Sequence, residues 1–284
     1  MSRLRTIALM NPRRDPAPGR AQCPRRAGLV AACLLAVAWL GAMPPACAQP
    51  APAAPGSLPQ VKQQAWLERL GSRNVRVHDP STIVRCQDEY WLFYTGRGIP
   101  SFHSRDLIHW EPGPHVFTNA LPWVRTAVPR NWGGRDFWAP DVIHLGDRYL
   151  IYFSASSFGR NTSAIGLATN PTLDPNDPTF HWTDRGIVVQ SNPEEDFNTI
   201  DPAVAQDAEG NLWLAFGSFW SGIKLIQLDP VTGKRIAPDS PIYSLAHSSS
   251  IEAACIYLHH GSYFLFVDWG MCCRGTNSTY NIRV

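Results

Sequence analysis

Asp141-Val-Ile-His-Leu145 followed by Gly146-Asp-Arg-Tyr-Leu-Ile-Tyr-Phe153 sets an acid, a short apolar run, a polar turn and an aromatic-rich run in that order. The same order recurs three more times. One copy is Asp79-Pro-Ser-Thr-Ile-Val-Arg85 with Gln87-Asp-Glu-Tyr-Trp-Leu-Phe-Tyr94. A second is Asp201-Pro-Ala-Val-Ala-Gln206 with Asp207-Ala-Glu-Gly-Asn-Leu-Trp-Leu-Ala-Phe216. The last is Glu252-Ala-Ala-Cys-Ile-Tyr-Leu258 with His259-His-Gly-Ser-Tyr-Phe-Leu-Phe266. The leading acids stand 62, 60 and 51 residues apart. Two short apolar runs about a polar turn read as a β-hairpin, so the chain carries a repeated hairpin.

Outward from each hairpin the pattern continues. Ile165-Gly-Leu-Ala-Thr169 and Ile223-Lys-Leu-Ile-Gln-Leu228 read as third strands, and the segments at His109-Trp110 and His181-Trp182 as fourth strands. Turn signals such as Gly146-Asp147 and Glu209-Gly-Asn211 separate them, and no long helical period is present. The reading is all-β. Four strands per repeat at this spacing describe the blades of a β-propeller, with a β-sandwich of chance-similar hairpins as the alternative.

The repeat occupies only part of the 284 residues. Seven arginines and one acid, Asp15, precede Ala48, and the apolar run Ala27–Met43 ends in Pro44-Pro45-Ala46-Cys47-Ala48. A basic segment, a short apolar segment and an A-x-A site predict a secretory signal peptide over residues 1–48, because a membrane span needs about 20 apolar residues. Residues 49–74 begin with the Pro/Ala/Gly run Gln49–Pro59 and read as a linker and N-terminal extension, leaving 75–284 as the folded unit. The expected product is secreted or periplasmic, with no membrane attachment once the leader is cleaved. Of 25 basic and 23 acidic residues, 18 and 22 remain after Ala48, so the +2 of the whole chain becomes −4. That balance excludes the basic face of a nucleic-acid binder. Four cysteines follow the leader: Cys86, Cys255, Cys272 and Cys273. The vicinal pair lacks a second pair at zinc spacing and reads as mutually bonded or wall-forming rather than metal-ligating.

Function is expected where the repeat places its acids. The first strand of a propeller blade lines the central axis, so Asp79, Asp141, Asp201 and Glu252 should converge at one mouth of the channel. Apolar or small neighbours at Val77-His-Asp-Pro, Ile200-Asp-Pro-Ala and Ile251-Glu-Ala-Ala imply partial burial. Clustered carboxylates raise one another's pKa, which suits the paired acid and base of glycoside hydrolysis.

Val77-His-Asp-Pro-Ser81, Phe137-Trp-Ala-Pro-Asp141, Asn198-Thr-Ile-Asp-Pro202, Phe216-Gly-Ser-Phe-Trp-Ser-Gly-Ile223, Ser250-Ile-Glu-Ala253 and Cys272-Cys-Arg-Gly-Thr-Asn-Ser-Thr-Tyr280 resemble, in order, the motif set of glycoside hydrolase family 43. Within that family the similarity is to the endo-1,5-α-L-arabinanases. The resemblance implies a five-bladed propeller that cleaves arabinan, the side chain of pectin, by inversion, as a monomer. It makes Asp79 the general base, Glu252 the general acid, and Asp201 the residue that raises the acid's pKa and orients it. Asp141, outside the family's trio, reads as a structural or hydrogen-bonding acid. Trp138 and Phe158 are candidates to pack on sugar faces, and Asn198 and Ser218 to hydrogen-bond hydroxyls. His78 reads equally as a core histidine or a substrate contact. The proton chemistry needs no cofactor. The family also associates a calcium or similar ion on the axis with a histidine in a late segment. This sequence stops at Asn281-Ile-Arg-Val284 without that segment. The expectation is a propeller incomplete at its C-terminus, lacking the last blade, with no metal ligands assigned. An exo-acting α-L-arabinofuranosidase or β-xylosidase on the same scaffold, and a non-catalytic carbohydrate-binding propeller, are the competing readings.

Overall fold

The computed structural model describes residues 75–284; the signal peptide expected over 1–48 and the linker over 49–74 lie outside them. All four predicted hairpins form, each as an antiparallel pair. They are β1 (Val84–Cys86) with β2 (Glu89–Phe93), β6 (Asp136–Leu145) with β7 (Arg148–Ala155), β10 (Ala203–Gln206) with β11 (Leu212–Phe216), and β14 (Ile251–His259) with β15 (Ser262–Trp269).

Further strands extend each hairpin outward. The first sheet adds β4 (Ser101–Ser104) and β5 (Glu111–Gly113), the second β8 (Ser163–Asn170) and β9 (Thr183–Ser191), and the third β12 (Ile223–Leu228) and β13 (Tyr243–Ala246). The fourth sheet adds β16 (Asn281–Arg283) to β15. A two-residue strand, β3 (Gly96–Arg97), leaves the first sheet and pairs with β6, tying blade one to blade two. The architecture is that of an all-β propeller, with four sheets among the described residues. The inner strands lie side by side, β1 against β6, β6 against β10 and β10 against β14, as an axis-lining role requires.

Packing between sheets follows from strand alternation. Along β7, Ile151 and Phe153 point into the core shared with the first sheet, while Leu150 and Tyr152 point into the core shared with the third. Successive side chains of a strand face opposite sides, so a blade between two neighbours is apolar on both. Phe153 is fully buried and meets Phe137 and Phe117 edge-on at centroid distances of 4.9 and 5.3 Å. Such pairs add about 0.5–1.5 kcal/mol each beyond area burial.

Two details differ from the sequence reading. The fourth strands begin just after the expected tryptophans: Trp182 precedes β9 and packs edge-on against Phe93 at 5.7 Å instead of joining the ladder. A six-residue helix, α1 (Pro122–Ala127), interrupts the β pattern and buries only Val124. Less than two turns cannot display a helical period.

Candidate active site

Asp79 and Asp201 precede the inner strands β1 and β10, Glu252 is the second residue of β14 and Asp141 lies within β6, each where the backbone departs from regular pairing. Asp79 and Asp201 have φ of +47° and +57°, in the left-handed region that Asp enters more readily than most residues. Hairpin exits fix both turns: Thr95 N–H donates to His78 O at 2.9 Å, and Gly217 N–H to Ile200 O at 2.9 Å. On β14 the register shifts between Glu252 and Cys255, and Ala253 takes φ +55°. On β6 it shifts between Trp138 and Asp141, with Ala139 at +39°. Bulges of this kind re-aim a side chain out of the ladder.

These departures bring Asp79, Asp201 and Glu252 into one open cleft of ≈ 1340 Å³. A single-molecule site is usually about 300–1,000 Å³, so the cleft has room for several linked sugar rings. Asp79 is half-buried, and Thr95 Oγ donates to its Oδ2 at 2.7 Å while accepting Ala139 N–H at 2.7 Å. Glu252 is 7% exposed and accepts Ser218 Oγ–H on Oε2 at 2.7 Å and the Tyr280 hydroxyl on Oε1. Asp201 accepts Ala253 N–H on Oδ2 at 3.2 Å, which ties it to the residue after Glu252.

The electrostatics follow from this crowding. Burial, then the Glu252 and Asp79 charges, push Asp201 well above the usual carboxylate range. Burial also pushes Glu252 up, with Asp79 and Asp268 adding to it and the Ser218 donor opposing it. The cluster therefore retains protons that isolated carboxyls would have released, which a general acid requires.

A stability consequence follows. The folded Asp201 carboxyl holds its proton to higher pH than the unfolded one. Stability therefore falls as pH rises from the ordinary carboxylate range through the raised value, and stays low above it. Asp201→Asn removes that penalty. Its Tm is expected above wild type at pH 7, by about 2–4 °C per kcal/mol of repulsion relieved, and close to wild type at pH 4, as read by calorimetry. A Tm at pH 7 equal to or below wild type would contradict this electrostatic picture.

The other expected residues fall as follows. Asp141 is buried, with its two oxygens accepting Thr82 N–H (3.0 Å) and Val204 N–H (2.8 Å), so it laces three inner strands together. Trp138 lines the cleft with its indole N–H on Asp136 (2.8 Å), and Phe158 lines it at 80% exposure. Asn198 is buried at the wall and accepts Ser163 Oγ–H at 2.8 Å. Ser218, expected on a sugar hydroxyl, lines the cleft and donates to Glu252 Oε2. Two tight glycines put it there. A Cβ on Gly217 would lie 2.4 Å from Gly222 O, and one on Gly222 would lie 2.2 Å from Ala246 O, so the turn between β11 and β12 folds flat and turns Ser218 inward. His78 is exposed at the cleft, with Nε2 3.5 Å from Asp79 Oδ2. Cys272 and Cys273 are bonded to each other and form part of the wall.

The family model for glycosyl hydrolases family 43 matches residues 73–284. The chain belongs to that family. Among curated family 43 relatives, an extracellular exo-α-(1→5)-L-arabinofuranosidase of Cellvibrio japonicus is 38% identical over 78% of this chain and 69% of its own length. An extracellular endo-α-(1→5)-L-arabinanase of Bacillus subtilis is 39% identical over 75% of this chain and 65% of its own. The chain thus spans about two thirds of these relatives. Among solved family 43 structures, Cellvibrio cellulosa α-L-arabinanase in complex with arabinohexaose superposes with TM-score 0.69 at 37% identity, covering 74% of this chain and 70% of that one.

Against the family 43 motif set, the sequence reading missed three cleft residues. Asp268, on β15 directly opposite Glu252 in the ladder, adds a fifth carboxylate to the lining beside Asp79, Asp141, Asp201 and Glu252, raised first by burial and then by Asp79. Trp220, 41% exposed, lines the cleft beside Phe219. Tyr280 reaches the acid from before β16. None of them occupies a repeated position; for Tyr280 the only signal was its place at the end of the Cys272–Tyr280 motif.

Proposed function

We propose that this chain is an exported hydrolase that cleaves α-1,5-linked L-arabinan at internal bonds with inversion at the anomeric carbon. The observation that carries the reading is the convergence of Asp79, Asp201 and Glu252 in one open cleft. Asp79 takes a proton from water as the water attacks the anomeric carbon. The glycosidic C–O bond breaks, and Glu252 gives its proton to the departing oxygen. Asp201, through Ala253, fixes the bulge that aims the acid. Trp138 and Phe158 offer faces to the sugar rings and Asn198 a polar contact. Ser218, hydrogen-bonded to Glu252 at the cleft, is a further candidate contact for a sugar hydroxyl.

Every proton transfer uses a carboxyl of this chain, so the proposal needs no cofactor. In this reading the four sheets belong to a five-bladed ring that works as a monomer. The apolar side chains exposed on the fourth sheet, including Tyr257, Phe264 and Ile282, are the surface a fifth blade would cover. Export is supported by the relatives named extracellular.

Chromatographic sizing of the products of linear arabinan tests the reading. Early oligosaccharides of mixed length are expected. Arabinose alone from the first time point would move the chain to the exo action named for the Cellvibrio japonicus relative, and binding without cleavage would leave a carbohydrate-binding propeller.

A further inference from the structure

Tyr280 closes the loop between β15 and β16. Gly270 N–H donates to Ser250 O, Thr279 N–H to Met271 O, and Met271 N–H to Thr279 Oγ1, each at 3.0 Å. The next residue, Asn281, enters the ladder opposite Trp269. The backbone of Tyr280 is thus fixed on both sides, and its hydroxyl donates to Glu252 Oε1. Ser218, from a different turn, donates to Oε2. Each oxygen of the carboxyl therefore has its own donor.

We infer that Tyr280 is a positioning residue for the general acid: it holds the Glu252 carboxyl toward the cleft and stabilises the carboxylate left when the proton departs. The inference rests on the assignment of Glu252 as that acid. A carboxyl oxygen has two acceptor sites, so the tyrosine can stay in place while the transferable proton occupies another. As the proton moves to the glycosidic oxygen, negative charge grows on Glu252 and the tyrosine bond becomes charge-assisted. The bond is thus stronger in the transition state than before it, which is the condition for accelerating the step.

The surroundings set the sign of the effect. Asp79 and Asp268 face the carboxyl and disfavour its charge, Asp201 beside it is itself pushed up by burial and by Glu252, and His78 and Arg274 stand at the same cleft wall. Ser218 and Tyr280 are the donors that favour the charge. Without the phenol, Ser218 alone opposes burial and two acids, Asp79 and Asp268, so Glu252 keeps its proton to higher pH.

Tyr280→Phe keeps the ring and removes the donor. The first readout is a carbon NMR titration of protein labelled at the glutamate carboxyls, with the Glu252 resonance assigned by its loss in Glu252→Gln. Its midpoint is expected to rise by about one pH unit in the variant. The second is kcat on arabinan against pH, where the basic limb is expected to move up equally and the plateau to fall about tenfold. A residue with only a structural role would lower Tm and leave both midpoint and limb in place. A midpoint within 0.2 units of wild type in a folded variant overturns the inference. The titration requires no turnover, so failure of wild type to cleave arabinan would count against the proposed function and leave the contact to be judged separately.

Discussion

Glu252→Gln is expected to lower kcat on linear arabinan by about 10²–10⁴-fold, the range typical of a positioned general acid, with KM changed little. The amide has the shape of the carboxyl and its single oxygen can still accept from either Ser218 or Tyr280, with the NH2 turned to the other hydroxyl, but it has no acidic proton to give. The unassisted departure of an alkoxide is what slows the reaction. An aryl arabinofuranoside with a good leaving group needs little protonation, so on that substrate the same variant is expected to lose far less. Equal losses on the two substrates would show that the substitution damages the fold or the binding cleft and would remove Glu252 from the acid role.

The second large effect is expected at the opposite side of the bond. Asp79→Asn removes the group proposed to take the proton of the attacking water, and a loss of about 10²–10⁴-fold in kcat is again expected. Thr95 can still donate to the amide oxygen, so the turn should survive. Water attack is required whatever the leaving group, so this loss should be the same on arabinan and on the activated aryl substrate. The contrast between the two variants is the informative quantity. A base variant that recovers on the activated substrate, as the acid variant should, would mean that the roles are exchanged. Steady-state kinetics on both substrates, with a thermal melt to confirm folding, decides it.

The fold was legible because propeller blades repeat. The same acid-strand-turn-strand order at Asp79, Asp141, Asp201 and Glu252 reports four inner hairpins, and the structure forms all four. The repeat also placed the site, because inner strands lie side by side around an axis. Less was visible wherever side-chain direction decides. Ser218 lies in a recognisable motif, yet only its hydrogen bond in the folded chain shows that it turns toward Glu252. Asp268 was hidden because its closeness to Glu252 comes from strand register, and a bulge follows in the same ladder. Trp182 was misplaced into a strand because an aromatic fits an edge strand and an inter-blade core equally well, and here the core holds it. Asp141 shows the converse: it shares the repeat position of Asp79, Asp201 and Glu252, while its two backbone donors make it a strut.

The central claim is that two carboxyls on opposite sides of the scissile bond deliver water and a proton in one displacement. Proton NMR of the first minutes of linear arabinan cleavage tests it most directly, before the new reducing ends equilibrate. The account predicts β-anomeric reducing ends first, with α appearing only as they mutarotate. Reducing ends that appear first as α would mean two displacements through a covalent intermediate, and would contradict the assignment of Asp79 as a base acting through water.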